Sequence, residues 1–410
     1  MDLVHSGRIL YVSMADVSQP NGPGVNEREF LLSLYEQFGD RMHAVLPSPK
    51  RDCDEIDYDR STLYPNPSRW DLFGYLRQQW VLYRLLQKLS KTGGYDLIVA
   101  RLSLLPIAFW LVSWYRFPYV VKTLGAVQGF VRNQGLKGLV AKGLAPLNGW
   151  LFHGIIKRAL AVDCCTETHF HEHRKDYSLT EQRLQVIENA TNVTRFIPQS
   201  SEAAKQSLGL SQFSPILGFV GGSPGDRGGQ QMLSIASLLM TEFPELGVVI
   251  VGEDKAGELR ERARKLKLLD RVVLPGLVAY EQIPAYVNSF DIGYALDRPE
   301  RMVTTGNSYQ KVRQYLSCGI AVVTCVEEKS ELQQQSLVES VHPDDLEALV
   351  SATRRLLRRD QRGRAQHAVR APEFIKKRLS TQYTLSKRME FWSLRLRDLS
   401  ATSSEYSSAQ

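Results

Sequence analysis

This chain lacks the spacings that build a metal site or a disulfide framework. Its five cysteines, Cys53, Cys164, Cys165, Cys318 and Cys325, include no Cys-x-x-Cys pair. His169, His171 and His173 alternate without forming a metal motif, so no metal is expected. An odd cysteine count, with no long apolar segment in Met1–Arg8, leads us to expect a reducing, cytoplasmic setting. No apolar run is long enough to span a bilayer; the nearest, Leu102 to Trp114, is short and contains Pro106. Neither sign of charge dominates. Lys and Arg number 51 against 44 Asp and Glu, a net +7 too diffuse to argue for nucleic acid, and the basic residues lack interleaved aromatics.

What is present is the make-up of a soluble globular protein, with 43% hydrophobic and 23% charged residues. A chain of 410 residues exceeds one comfortable core and suits two domains. Short apolar strands and amphipathic helices alternate in two series, as in parallel sheets covered on both faces. The first series places strands at 8–13, 42–46, 96–100, 119–122, 161–165 and 185–188, with helices at 26–38, 72–89 and 145–158. The second places strands at 216–220, 247–251, 271–274, 292–295 and 321–324, with helices at 230–243, 255–266, 283–288 and 309–317. Strand signals lapse from Pro198 to Pro215, which marks the linker. The expected domains are 1–198 and 199–373, then a helix over 374–400 with an apolar stripe, and a disordered tail over 401–410. Open parallel sheets bind ligands at the carboxyl ends of their strands, so the ligand belongs in the crevice between the domains.

The most informative stretch is 216–325. The buried strand Ile216-Leu-Gly-Phe-Val220 empties into Gly221-Gly-Ser-Pro-Gly-Asp-Arg-Gly-Gly229, and a helical pattern follows. Glycines let backbone N–H groups approach an anion, and the helix N-terminus adds partial positive charge. Arg227 lies in that loop and Lys311 at the start of a later helix, where a cation opposes the helix dipole unless a ligand's negative charge compensates it. This points to a phosphate-bearing ligand, a nucleotide in the first instance.

Several segments in order resemble a GT-B glycosyltransferase, most closely family 4 of the retaining enzymes. They are Gly218-Phe-Val-Gly-Gly222 with Arg227-Gly228, Val248-Val-Ile-Val-Gly-Glu253, Arg271-Val-Val-Leu-Pro-Gly276, Ser289-Phe-Asp-Ile-Gly-Tyr294 and Lys311-Val-Arg-Gln-Tyr-Leu-Ser-Cys-Gly319. Upstream, Val186-Ile-Glu-Asn-Ala-Thr-Asn192 and Gly22-Pro-Gly-Val25 resemble the close of the family's N-terminal domain and its first glycine loop. The resemblance implies two doubly wound Rossmann-like domains facing each other across a cleft. It implies transfer of a hexose-type sugar from a nucleotide-sugar, a substrate rather than a cofactor, with retention and without an essential metal. The acceptor would be a glycan or a lipid-linked sugar, in surface polysaccharide or glycolipid synthesis.

Under that resemblance Arg227 and Lys311 are the catalytic cations that neutralise the departing diphosphate, with Arg313 a further candidate. Donor binding falls to Gly221, Gly222, Gly306, Asn307, Ser308 and Gln314, with the base near Pro275 and Val278. The acceptor side falls to Gly22, Gly24, Glu27, Arg28 and Gly125. Four slots differ from the family pattern: two glutamates read Gly306 and Gln314, an arginine reads Gly222, and a histidine reads Leu124. Gln314 can still accept from a ribose hydroxyl, without charge assistance. Gly22, Gly24 and Gly125 also read as turn glycines with positive φ. Missing glutamates fit a non-catalytic nucleotide- or glycan-binding partner as well, and a sugar-nucleotide epimerase would need cleft carboxylates and a histidine. The segment from Gly129 to Lys157, continuing to Arg158, alternates Arg132, Lys137, Lys142 and Lys157 with apolar residues and Trp150, a pattern suited to an anionic membrane surface on the inner face of the membrane.

Overall fold

The computed structural model describes residues 3, 6–67, 71–92, 94–115, 117–122, 136–254, 257–297, 309–325 and 330–408. Leu124, Gly125, Gly306, Asn307 and Ser308 lie outside the described residues, as does the stretch 129–135.

The first domain carries β1 (Ile9–Ser13), β2 (Met42–Pro47), β3 (Ser61–Tyr64), β4 (Leu97–Arg101), β5 (Tyr119–Lys122), β6 (Ala161–Cys164) and β7 (Leu184–Val186). Its helices are α1 (Gly22–Phe38), α2 (Leu72–Thr92), α3 (Ile107–Val112), α4 (Leu136–Arg158) and α5 (Glu167–Tyr177). The second domain carries α6 (Ser201–Ser207), β8 (Ile216–Val220), α7 (Gly229–Leu239), β9 (Gly247–Val251), α8 (Glu258–Lys265), β10 (Val272–Gly276), α9 (Ile283–Asn288) and β11 (Ile292–Ala295). It closes with α10 (Gln310–Ser317), β12 (Ala321–Thr324), α11 (Glu331–Gln334), β13 (Glu339–Ser340), α12 (Leu346–Leu357) and α13 (Gln361–Arg378). A last helix, α14 (Thr381–Ser408), follows.

Among the described residues the strands form two wholly parallel sheets, ordered β3-β2-β1-β4-β5-β6-β7 and β10-β9-β8-β11-β12-β13. Both reverse direction beside their first strand, between β1 and β4 and between β8 and β11, which is the doubly wound order. Alternation along each central strand divides the core between two faces. Leu10 and Val12 pack under α2, α3 and α4, while Ile9 and Tyr11 pack under α1 and α14. Ile216 and Val220 likewise face one layer, and Leu217 and Phe219 the other.

Three departures from the sequence pattern have local causes. β3 is an edge strand reading Ser-Thr-Leu-Tyr with Leu63 exposed, and β13 has two residues, so neither carries an apolar run. Helix α1 begins at Gly22 rather than Asn26, because the Asn21 side chain accepts from Gly24 N at 2.9 Å and Pro23 occupies the first turn. The long basic C-terminal helix is two helices. Thr191 N donates to Leu379 O at 3.0 Å, and Thr381 N donates to Thr191 O at 3.1 Å, so the chain leaving the first domain pairs with the chain returning to it. The helix over 374–400 is therefore split: α13 stays on the second domain beside α10, and α14 packs on α1 and β6 of the first. α14 remains helical through Ser408, across most of the stretch expected to be a disordered tail.

The return is anchored by buried polar groups. Arg388 Nε lies 3.1 Å from Asp163 Oδ2, and Trp392 Nε1 donates to Asp163 Oδ1 at 3.1 Å. Leu385, Met389, Trp392 and Leu396 are all buried in the first domain's core. Among the described residues no helix is long and apolar enough to cross a membrane. Trp392→Ala removes both the indole volume and one of Asp163's donors, and should lower unfolding free energy by about 3–5 kcal/mol in urea titrations.

Candidate active site

The glycine loop after β8 is shaped by backbone close approach. Gly221 has φ +141°, and a Cβ there would lie 2.9 Å from Lys311 Nζ. Any side chain would push that ammonium away. Gly221 N donates to Val251 O at 3.0 Å, and a Cβ on Gly252 would meet Gly221 O at 2.1 Å, so the loops after β8 and β9 are stacked backbone on backbone. Gly228 has φ +100° and abuts Leu296, after which α7 begins. The Tyr315 hydroxyl accepts from Val220 N at 2.9 Å and fixes α10 to the end of β8. Lys311, in the first turn of α10, therefore reaches over the strand end, with Nζ 3.7 Å from the Phe219 ring centroid.

The two strand-order reversals face each other across a cleft of about 280 Å³. The second domain contributes Gly221, Gly222, Arg227, Val278, Lys311 and Gln314 to its wall, and Tyr280, Asp297, Tyr309 and Gln310 complete that side. The first domain contributes the N-terminal turn of α1, including Gly22 and Asn26, with Arg101 from the end of β4. Asn189, in the segment after β7, also reaches it. Arg227, Lys311 and Gln314, widely separated in sequence, are thus brought to one wall.

Other expected residues lie elsewhere. Gly22 and Gly24 are helical, without positive φ. Gly24 is a glycine because a Cβ would stand 2.4 Å from Gln19 O. Glu27 does not face the cleft but is wholly buried beneath it. It takes Lys122 Nζ at 2.8 Å, Arg101 Nε at 3.5 Å and the Tyr11 hydroxyl at 2.6 Å. Arg28 is buried as well, its guanidinium 4.8 Å from the Tyr280 ring and 3.5 Å from Glu55. It braces the domains rather than meeting an acceptor. Arg313, 1% exposed, is paired with Glu188 and donates to Tyr309 O at 2.8 Å, so it positions the start of α10. Pro275 sits in β10 and is not part of the cleft wall.

Tyr280 is the residue the sequence reading missed. It carries no motif, yet its hydroxyl donates to Glu29 Oε1 at 3.1 Å across the domain boundary and meets Gln314 Nε2 at 3.4 Å. Arg195 lies 4.8 Å from the same ring and pairs with Glu29 and Glu55. Burial raises the Glu29 carboxyl above its usual range, and burial with the Glu29 charge lifts the Tyr280 hydroxyl far above its own. Arg101 and Asp297 could have been found from position alone, since each ends or follows a central strand at the carboxyl edge.

Under the cleft, burial pushes Lys122 down to about 8, with Glu27 opposing the shift. Burial by itself would raise Glu27, but Lys122, Arg101 and the hydrogen bonds from Lys122 and Tyr11 outweigh it and hold the carboxylate low. The pair is thus an ionised strut beneath the first turn of α1. Among the described residues no group of three or more His, Cys, Asp or Glu is placed to hold a metal ion. All five cysteines are free thiols.

Residues 214–359 match the family model described as glycosyl transferases group 1. The second domain is therefore similar to the group 1 glycosyltransferase domain. The whole-chain fold is GT-B. Anabaena HepE in complex with UDP and glucose superposes with a TM-score of 0.69 at 15% identity, covering 95% of this chain and 100% of that one. Sucrose-phosphate synthase from Thermosynechococcus elongatus gives 0.68 at 17% identity, covering 99% and 100%. WaaG, a glycosyltransferase involved in lipopolysaccharide biosynthesis, gives 0.63 at 14% identity, covering 93% and 98%. At such identities the likeness is one of fold. No curated protein sequence matches the chain.

The buried strut of the GT-B first domain makes a direct test. Lys122→Met leaves the Glu27 carboxylate with Arg101 as its remaining cation and should destabilise the protein by about 3 kcal/mol at neutral pH. The Glu27 pKa would then rise above its unfolded value. The deficit should shrink as pH falls through the carboxylate range, which denaturant unfolding at pH 5 and pH 8 would read.

Proposed function

We propose that this chain is a glycosyltransferase that moves a hexose-type sugar from a nucleotide-sugar to a glycan or lipid-linked acceptor with retention, without an essential metal. The observation that carries the reading is Lys311. Its ammonium reaches over the end of β8 into the cleft, and Gly221 is kept bare to admit it. Arg227 on the same wall supplies a second, bidentate donor. A diphosphate seated between them would be neutralised as it departs.

The step we propose is front-side displacement. The bond from the anomeric carbon to the diphosphate oxygen breaks, and its electron pair leaves with that oxygen. The acceptor hydroxyl oxygen bonds to the anomeric carbon on the same face, and its proton passes to the departing phosphate oxygen. Lys311 and Arg227 stabilise the charge that develops, the term that in such sites contributes most to rate. Gln314 directs its amide nitrogen to Tyr280, which leaves its carbonyl oxygen to accept from a ribose hydroxyl. Asn26 and Arg101, on the opposite wall, are the acceptor-side candidates. HepE has been determined with UDP-glucose, which makes UDP-glucose the first donor to try.

A second reading, a GT-B partner that binds a nucleotide without transferring sugar, is favoured by Gln314 standing where the resemblance implies a glutamate. A thermal-shift screen against UDP, GDP, ADP, CMP and TDP and their sugar conjugates, followed by turnover assays, separates the two. On the transferase reading one base raises the midpoint and its sugar conjugate is consumed. Lys311→Ala and Arg227→Ala should each cut kcat about 10²–10³-fold. Binding without turnover under any acceptor supports the second reading, and no shift with any nucleotide argues against both.

Gly221→Ala adds a methyl group where φ is +141° and Lys311 Nζ lies 2.9 Å away. It should weaken nucleotide binding about tenfold or more by displacing the ammonium, read as a raised Kd in calorimetry.

A further inference from the structure

Charge is distributed unevenly along the chain. Residues 72–162 hold twelve Lys and Arg against one acid, Asp96, a net +11. The total is +7, so the rest of the chain is net −4. Asp96 is engaged at the foot of the sheet, accepting from Arg8 N at 2.7 Å. The segment contains α2, α3 and α4, none of which holds an acid, and they pack side by side on one face of the first sheet.

Among the described residues that outer face carries the exposed aromatics Phe73, Trp80, Trp114, Tyr115 and Trp150. On α2, Leu72, Leu76 and Trp80 recur at helical spacing and are 64%, 49% and 60% exposed, and Phe73 beside them is 85% exposed. The opposite side of α2 buries Leu82 and Leu86. A ladder of side chains joins the helices. The Tyr83 and Tyr115 hydroxyls meet at 2.9 Å, and Trp110 packs on both Trp114 and Trp150 at centroid distances of 5.7 and 4.7 Å. Trp114 and Trp150 remain more than half exposed. Cations lie over the rings: the Arg158 guanidinium 3.5 Å from the Trp114 centroid and that of Arg84 5.8 Å from Trp80.

We propose that this face of α2, α3 and α4 docks on a bilayer that carries anionic lipid. Indoles flanked by Arg and Lys suit the depth of lipid headgroups, where the ring is apolar and its edge wet. Aliphatic Leu72 and Leu76 with Phe73 offer what acyl chains take up and what a nucleic acid has no use for. The three helices carry no carboxylate, and although the exposed Asp71 caps the start of α2 at Gly74 N, the excess of positive charge suits a negatively charged surface. α2 runs antiparallel to β4, so its exposed apolar start lies at the carboxyl edge of the sheet, the edge that also forms the cleft. A docked protein would hold its cleft rim beside the headgroups. The sequence pattern places such a surface on residues 129–158; the exposed side chains of α2 and the tryptophan cluster extend the proposed face. The inference is independent of whether the cleft transfers sugar.

The test is co-sedimentation of the full chain, without nucleotide, with phosphatidylcholine vesicles containing about 30% phosphatidylglycerol and with phosphatidylcholine alone. The protein should pellet with the anionic vesicles and be released at about 1 M salt. Phe73→Glu with Trp80→Glu should weaken binding at least about tenfold, whereas Leu238→Glu, at a 55% exposed leucine of α7, should not. As a check independent of variants, brominated lipid should quench the tryptophan fluorescence of the unsubstituted protein. Failure to pellet with anionic vesicles, absence of quenching, or equal pelleting of the double variant overturns the proposal. So does a dimer in solution that dissociates on Phe73→Glu, since the face would then be a self-interface.

Discussion

Every strand in both sheets runs the same way as its neighbours, and this constraint organises the rest of the molecule. A parallel sheet must send its chain back through a crossover, so all loops that follow strands emerge on one edge. Two such sheets, each reversing order beside its first strand, present two edges of loops to each other. The cleft follows from that arrangement before any particular side chain is considered. Backbone amides and helix N-termini converge there, and the chain adds to them two cations, Arg227 and Lys311, from elements separated by more than one full βα unit.

Polar contacts join the domains above the cleft floor. Tyr280 is at their centre, with two guanidiniums over its ring and a carboxylate on its hydroxyl. Gln314 touches the same hydroxyl from the donor wall. A change at the nucleotide side can therefore reach α1 through two hydrogen bonds. The buried strut of Glu27 and Lys122 begins two residues before Glu29 on α1 and keeps that helix start fixed to the first sheet.

Most of the fold was legible in the sequence because central strands buried on both faces read as continuous apolar runs. β8, β9, β11 and β12 have the bounds expected, and β5 likewise. Edge strands β3 and β13 were not, since half-exposed short strands carry no such run. The glycine loop and the lysine at the head of α10 were legible because a glycine-rich turn after a buried strand and a cation in a helix's first turn both suit an anionic ligand. Glu27 and Arg28 were misplaced for a related reason. A charged pair following a helix start reads as exposed, and only the tertiary structure reveals the buried Lys122 and the tyrosine ring that receive them. Tyr280 was invisible because a lone tyrosine before a short helix has no pattern, and its partners on α1, Arg28 and Glu29, lie about 250 residues away in the chain.

The final helix has a consequence for how the protein is made. The first domain's core is completed by Leu385, Met389, Trp392 and Leu396, contributed by the last tenth of the chain. During synthesis the opening half emerges long before those side chains exist, with the faces of Phe30, Leu34 and Tyr11 uncovered. The second domain can close while the first still waits. Assembly thus runs against the order of translation, since the earliest strands and helices reach their native packing only after residues 385–396 have been made.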